Sequence, residues 1–246
     1  KKEIIVVTED EISERIAFWF QQKYPNVILV RRKRYFLTKP SALNDVLHLA
    51  RGEIVGIVDV EDILDRDIFK KVAVTIMDYG YDYVQAILRI SNVEDSWITR
   101  IFAMEYAGWF RILLNARSQL KLFTPLGGTG NYFRKSIIKE VGGWDSINLT
   151  EDAELTIRLN IAKARFTVID ARQWEEAPVH FKAWLRQRSR WFRGWLQTLW
   201  KYLPIFFKPY GIKRFGLLNL LSILLMLIAP FAVMLNWLAY TLTVLW

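Results

Sequence analysis

The sequence predicts an α/β fold, a mostly parallel sheet flanked by helices, followed by an interfacial segment and a transmembrane helix. Three observations carry this. In the run EIVGIVDVED (Glu53 to Asp62), Ile54, Val55, Ile57 and Val58 form an apolar, β-branched stretch without alternation, the pattern of a strand covered on both faces. Strand-like and helix-like segments alternate along the first half of the chain, the βαβ rhythm of a parallel sheet. From Phe215 to Trp246 there are 32 residues without a charge, longer than the roughly 20 needed to cross a bilayer as a helix.

Taken in order, Ile4 to Val7 read as a strand that ends in the acids Glu9, Asp10 and Glu11, followed by a helix over Ser13 to Lys23. Tyr24, Pro25 and Asn26 break that helix, and Val27 to Val30 make a second strand. The basic run RRKR (Arg31 to Arg34) leads to a helix that opens near Pro40, where proline suits a first turn. The strand Glu53 to Asp59 comes next, then a helix from about Asp65 to Tyr79, a strand over Tyr83 to Ile90 and a long helical stretch from about Asp95 to Leu120. A glycine-bearing segment, PLGGTGNYF (Pro125 to Phe133), comes after it. Three regions are expected: residues 1–200 as one cytoplasmic domain that begins part-way into its fold, 201–214 as a basic, aromatic interfacial segment, and 215–246 as membrane-spanning, with Pro230 dividing the run.

Composition removes several function classes. With no cysteine, a disulfide framework, thiolate metal sites and a cysteine nucleophile all fall away. His48 and His180 are too few for a histidine metal site, and neither a G-x-S-x-G elbow nor a Walker lysine motif occurs. The net charge of +9 comes largely from residues just before the apolar run: Arg186, Arg188, Arg190, Arg193, Lys201, Lys208, Lys213 and Arg214. That asymmetry puts the preceding domain on the cytoplasmic side, against anionic lipid. Without a recognised nucleic-acid module, membrane lipid rather than nucleic acid is the expected partner.

Four constellations carry candidate chemistry. Asp59 and Glu61 of DVED end a strand, where ligands of open α/β sheets collect, and supply the hard oxygens that Mg²⁺ or Mn²⁺ prefer; alternatively Asp62 and Asp65 cap the next helix and the other acids are solvated. In LTEDAELTIRL, Asp152 suits a general base, and Thr150 capping a helix with an acidic first turn explains the same stretch. In LRQRSRWFRGWLQTLW, Gln187, Arg190 and Trp191 share one helix face, apt for a diphosphate and a sugar ring, and a membrane-surface helix has the same composition. Lys39 of TKPSALN precedes a helix start and is either a phosphate contact or a surface lysine. Glu105 reads as a packing or supporting residue, and the glycines of GGTG as a ligand approach or a plain turn.

In order, K-P-x-A-L-N, D-x-E-D, P-L-G-G-T-x-N-x-F, G-G-W-D, T-E-D and Q-x-x-R-W, followed by an apolar run, resemble the membrane-bound processive family 2 glycosyltransferases, the group of cellulose and hyaluronan synthases. The likeness is nearest to the branch with W-E-E-A-P, here Trp174 to Pro178, ahead of Q-x-x-R-W. The resemblance implies a GT-A type, Rossmann-like fold and inverting, metal-dependent transfer from a nucleotide-sugar, a UDP-sugar, to a glycan or lipid-linked acceptor. It also implies roles: Glu9 or Asp10 on the nucleotide, Lys39 near the diphosphate, Asp59 and Glu61 on Mg²⁺ or Mn²⁺ and the donor, Asp152 as base, and Gln187, Arg190 and Trp191 on diphosphate and acceptor. A β-linked polysaccharide is the expected product, with a glycolipid-forming transferase and a catalytically silent nucleotide-sugar-binding membrane subunit as the alternatives.

Overall fold

The computed structural model describes residues 2–33, 38–206, 208, 213 and 215–244, with side chains at all of these except 230, 233–234, 237–240 and 244. Arg34 of the basic run, much of 207–214 and residues 245–246 lie outside the described residues.

The chain opens with strand β1 (Ile4–Thr8), helix α1 (Glu11–Lys23) and strand β2 (Val27–Arg31). β1 and β2 pair in parallel, Ile4 opposite Val27, as a two-stranded unit of their own. Helix α2 (Lys39–Val46) starts as expected around Pro40, with the Thr38 hydroxyl accepting from the Ser41 N–H as its cap. Then come β3 (Ile54–Ile57), the short β4 (Ile63–Leu64), α3 (Ile68–Ala73) running into a π-turn Val74–Asp78, and β5 (Tyr83–Ile90). The long helical stretch is a capped helix α4 (Trp97–Tyr106), a π-helical segment Ala107–Leu113 and α5 (Leu114–Gln119). After it lie β6 (Asn131–Arg134), α6 (Lys135–Glu140), α7 (Glu151–Ile161), β7 (Phe166–Glu175), α8 (Phe181–Phe206) and α9 (Leu217–Val244).

The five-stranded sheet has the order β3-β6-β5-β7-β4. It is mixed, not mostly parallel: β3 with β6, β6 with β5 and β7 with β4 are antiparallel, and only β5 and β7 run parallel. An unbroken apolar run reports that a strand is covered on both faces and says nothing of its neighbour's direction. The deciding strand, β6, begins at Asn131 within the glycine-bearing segment Pro125 to Phe133, where no strand is expected. Between Ala86 and Ile87 the β5–β7 register shifts, because Ile169 pairs with Ala86 and Arg172 with Ile87. Such a bulge re-aims the residues beyond it, here Gln173 and Glu175.

Both faces of the sheet are packed. Ile57, Tyr83 and Phe133 meet Ile138 of α6, Trp144 of the segment after it, and Leu155 and Leu159 of α7. On the other face Val84, Ala86, Tyr132 and Ile169 meet Ile68, Val72 and Ile76. Leu88 and Ile90 pack on Phe102, Tyr106 and Phe110 of the long helical stretch. A fourth cluster joins Phe123 and Ile157 to Tyr202, Phe206, Leu220, Ile223 and Leu227 of α8 and α9. Tyr202 and Phe206, expected at an interface with lipid, therefore turn inward, and Lys201 is engaged by Asp145 at 2.8 Å and Glu154 at 2.6 Å.

Among the described residues no helix is long and apolar enough to cross a membrane. α9 is 28 residues long and carries no charged residue.

Candidate active site

The turn after β3 is fixed by Asp62. Its Oδ2 accepts from the Asp59 N–H at 2.7 Å, the Thr129 hydroxyl at 2.6 Å and the Gln173 amide at 2.7 Å. The turn is closed by the Asp62 N–H donating to the Asp59 carbonyl at 3.1 Å. Asp62 thus ties the turn to the β6 approach and to β7, and does not cap the next helix; Asp67 stands at that helix start, and Asp65 accepts from the Arg172 N–H at 2.8 Å. The capping explanation of these acids is overturned. Val60 is 99% exposed at the tip with Glu61 exposed beside it, whereas Asp59 is turned inward onto Lys39.

Lys39 is the hub. Its ammonium donates to Asp59 Oδ1 and, at 2.8 Å, to the carbonyl of Gly128 in the GGTG loop. A Cβ on Gly128 would stand 3.9 Å from Asp152 Oδ2, so this loop passes directly over the start of α7. Gly130, at φ +69°, supplies the left-handed backbone that turns the loop into β6.

Thr150 occupies the N-cap position of α7 without a side-chain cap bond. Its N–H donates instead to Asn148 Oδ1 at 2.9 Å, and the Asn148 amide donates to Thr198 of α8 at 2.9 Å. Asp152 Oδ1 accepts from the Ala153 N–H at 2.8 Å. Burial raises the Asp152 carboxyl above the usual range, against that N–H and the charges of Lys39 and Arg190. Burial, with the adjacent Asp152 charge, pushes Glu151 up to about 7, while Lys39 and Arg190 pull it back. The acids of T-E-D, Lys39 and Arg190 therefore act on one another electrostatically.

Gln187, Arg190 and Trp191 lie on α8. Arg190 is exposed toward the acids of α7, and the Gln187 side-chain oxygen is buried without a hydrogen-bond partner among the described residues. Trp191 is half-buried against Phe102, at 6.2 Å between ring centroids.

The two candidates on the first strand part ways. Asp10 caps α1, accepting from the Ile12 and Ser13 N–H groups at 3.0 and 2.9 Å. Glu9 pairs with buried Arg32, which also reaches Asp45 at 2.9 Å and Ser41 at 2.8 Å on α2. Glu9 is thereby linked to the helix that begins with Lys39, and Asp10 is not. Several site residues are not evident as such in the sequence. Glu175, in W-E-E-A-P, is pushed up to about 7 by burial, with Asp62 and Asp59 adding to the rise while a hydrogen bond from Tyr106 and the charge of Lys39 oppose it. Gly194 is another: a Cβ there would stand 2.5 Å from Thr150 Oγ1, so α8 crosses the start of α7 at that point. A glycine inside a strong helical pattern was the available signal.

Among the described residues no group of three or more His, Asp or Glu is arranged to hold a metal ion. A divalent ion that takes most of its ligands from a diphosphate and water needs only one or two carboxylates, and the turn meets that requirement. It offers Asp59, the exposed Glu61 and the buried Asp62 Oδ1, which has no hydrogen-bond partner among the described residues.

A family model described as glycosyl transferase family group 2 matches residues 54–246. The chain belongs to that family. Three curated relatives show the extent of this glycosyltransferase likeness. The Bacillus subtilis protein named probable glycosyltransferase YdaM is 29% identical over 211 residues, 83% of this chain and 50% of its own. Beta-monoglucosyldiacylglycerol synthase of Synechocystis is 29% identical over 233 residues, 89% and 47%. Poly-beta-1,6-N-acetyl-D-glucosamine synthase of Staphylococcus aureus is 26% identical over 219 residues, 88% and 52%. The chain thus spans about half the length of the curated relatives it matches. Among solved structures, the mannosyltransferase PcManGT from Pyrobaculum calidifontis, in complex with GDP-Man and Mn²⁺, superposes with a TM-score of 0.67 at 19% identity, over 94% of this chain and 66% of that one. The likeness shows that the chain has the GT-A-like α/β fold of that family.

Proposed function

We propose that the protein transfers a sugar from a nucleotide-sugar, a UDP-sugar, to a glycan or lipid-linked acceptor at the cytoplasmic face of a membrane, with inversion at the anomeric carbon. The observation that carries this is the meeting of Lys39 with Asp59 and with Gly128, whose position a Cβ would bring to 3.9 Å from Asp152. One cleft then holds acids for a metal-bound donor, cations for its diphosphate and a buried carboxylate for the acceptor.

In this mechanism Lys39 and Arg190 bind the diphosphate and stabilise the charge that grows on it as the bond from the anomeric carbon breaks. Asp59, with Glu61 or the free oxygen of Asp62, would hold Mg²⁺ or Mn²⁺, which supplies Lewis-acid neutralisation of the same charge. Asp152 takes the proton of the acceptor hydroxyl, whose oxygen forms the new bond from the opposite face, so an α-linked donor gives a β-linked product. Trp191 offers a ring for the acceptor sugar to stack on. The nucleotide is read on the side of Glu9.

Two products remain as readings, each supported by a relative: a glycolipid, after the Synechocystis synthase, and a polysaccharide, after the staphylococcal one, both named for β-linked products. The uncharged α9 and the exposed cations Arg186, Arg193, Lys208 and Lys213 support membrane attachment. The test uses the complete protein with Mg²⁺ or Mn²⁺ and a panel of UDP- and GDP-sugars, with product length read by mass spectrometry. Transfer to an added acceptor is expected, strongest with a UDP-sugar. Tight nucleotide binding with no transfer from any donor would leave a binding subunit instead.

A further inference from the structure

Arg188 belongs to none of the roles above, yet a carboxylate and three aromatic rings hold it on α8. Its guanidinium lies 4.6 Å from the centroid of Trp191, 4.7 Å from that of Phe102 and 5.6 Å from that of Trp184. Glu105 of α4 grips it as a fork, Nη1 to Oε1 at 2.6 Å and Nη2 to Oε2 at 2.5 Å. The Arg188 Nε–H is buried with no hydrogen-bond partner among the described residues. Among the described residues Glu105 alone therefore fixes the rotation of the guanidinium in its own plane.

An ion pair with a carboxylate as exposed as that of Glu105, 45% accessible, contributes little to stability. A bidentate fork does define direction, and a planar cation against an indole fixes the plane of both. We propose that Arg188 and Glu105 are positioning residues that hold the Trp191 ring in the orientation needed to bind the acceptor sugar. The proposal rests on the reading of Trp191 as the acceptor platform. Glu105 sits at the end of α4 where the backbone passes into the π-helical segment Ala107–Leu113, a local geometry often found at functional sites. The next residue, Tyr106, holds Glu175 on the donor side. Two consecutive side chains of α4 thus engage Arg188 on α8 and Glu175 on β7.

The experiment uses the complete protein and cellotetraose or chitotetraose as acceptor probes, with binding of the probe and of UDP measured by calorimetry and Tm measured in parallel. Glu105→Gln and Arg188→Lys are expected to weaken probe binding about tenfold and to leave UDP binding unchanged. The exchanged pair Glu105→Arg with Arg188→Glu restores the ion pair but places no guanidinium at 188 against Trp191, so it is expected to keep a Tm near that of the wild type without recovering probe binding. Wild-type probe binding by the exchanged pair would reduce the two residues to a structural clamp and overturn the proposal, as would unchanged probe binding in Arg188→Lys or no probe binding by the wild-type protein. If the wild type binds the probe but transfers no sugar, the catalytic reading fails while the positioning of Trp191 stands.

Discussion

Gly194 of α8 lies so close to Thr150 of α7 that an added Cβ would stand 2.5 Å from its Oγ1 and 2.7 Å from its backbone nitrogen. The helix carrying Q-x-x-R-W and the helix start carrying T-E-D touch because one residue has no side chain, and the charge of Arg190 on the first acts on Asp152 of the second. A clash with backbone has no soft partner to yield. Gly194→Ala is therefore expected to cost about 1–3 kcal/mol as overpacking and to reduce transfer, read by thermal denaturation and initial rates. Gly108→Ala, where nothing lies within 4 Å, is the matched control and should not lower Tm.

Lys39 influences every raised carboxyl of the cleft. Its charge lowers Glu151, Asp152 and Glu175 against the effect of burial. A base must be unprotonated to act, and burial raises the Asp152 carboxyl, so the rate should climb with pH over a range above that of an ordinary carboxylate. Lys39→Gln removes the opposing charge and should move this limb to higher pH as well as weaken donor binding. The pH profile of kcat/KM checks both effects.

Glu175 tests the electrostatics without turnover. Burial lifts its carboxyl from 4.5 to about 7 in the folded protein. The folded state then binds a proton more tightly than the unfolded state, so stability is full below about 4.5 and declines as pH rises toward 7. Glu175→Gln should raise Tm at pH 8 and leave it unchanged at pH 4, by roughly 2–4 °C for each kcal/mol recovered.

Glu154 is fully buried yet charged, held by Arg158 at 2.7 Å, Lys201 at 2.6 Å and the Tyr202 hydroxyl at 2.7 Å. These partners keep its carboxyl below the usual range despite burial. Glu154→Ala leaves the largely buried Arg158 without its carboxylate, whereas Lys201, half-exposed, keeps Asp145, so the expected loss is about 1–3 kcal/mol. Because α7 and α8 are both anchored here, Tm and transfer should fall together.

Signals that are local in sequence are legible in it. The strand Tyr83–Ile90 and the helix around Pro40 arise from β-branched composition and from a threonine cap with proline in the first turn, and the structure has both. Lys39, Asp59 and Asp152 converge as motif order implies. What escapes is set by partners distant in the chain. Spacing cannot tell which of Glu61 and Asp62 turns inward; Thr129 and Gln173, 67 and 111 residues beyond Asp62, decide it. The direction of β3 against β6 depends on a four-residue strand hidden in a glycine-bearing stretch. Glu105 reads as a supporting residue, and only its distance to Arg188, 83 positions away, says what it supports.

Asp152 is the group on which transfer depends most directly. In the complete protein, with donor, divalent ion and acceptor supplied, Asp152→Asn should lower transfer by about 10²-fold or more while the dissociation constant for the nucleotide-sugar stays as in the wild type. Transfer at the wild-type rate by this variant would contradict the assignment of the base, and with it the cleft built around Lys39, Asp59 and Arg190.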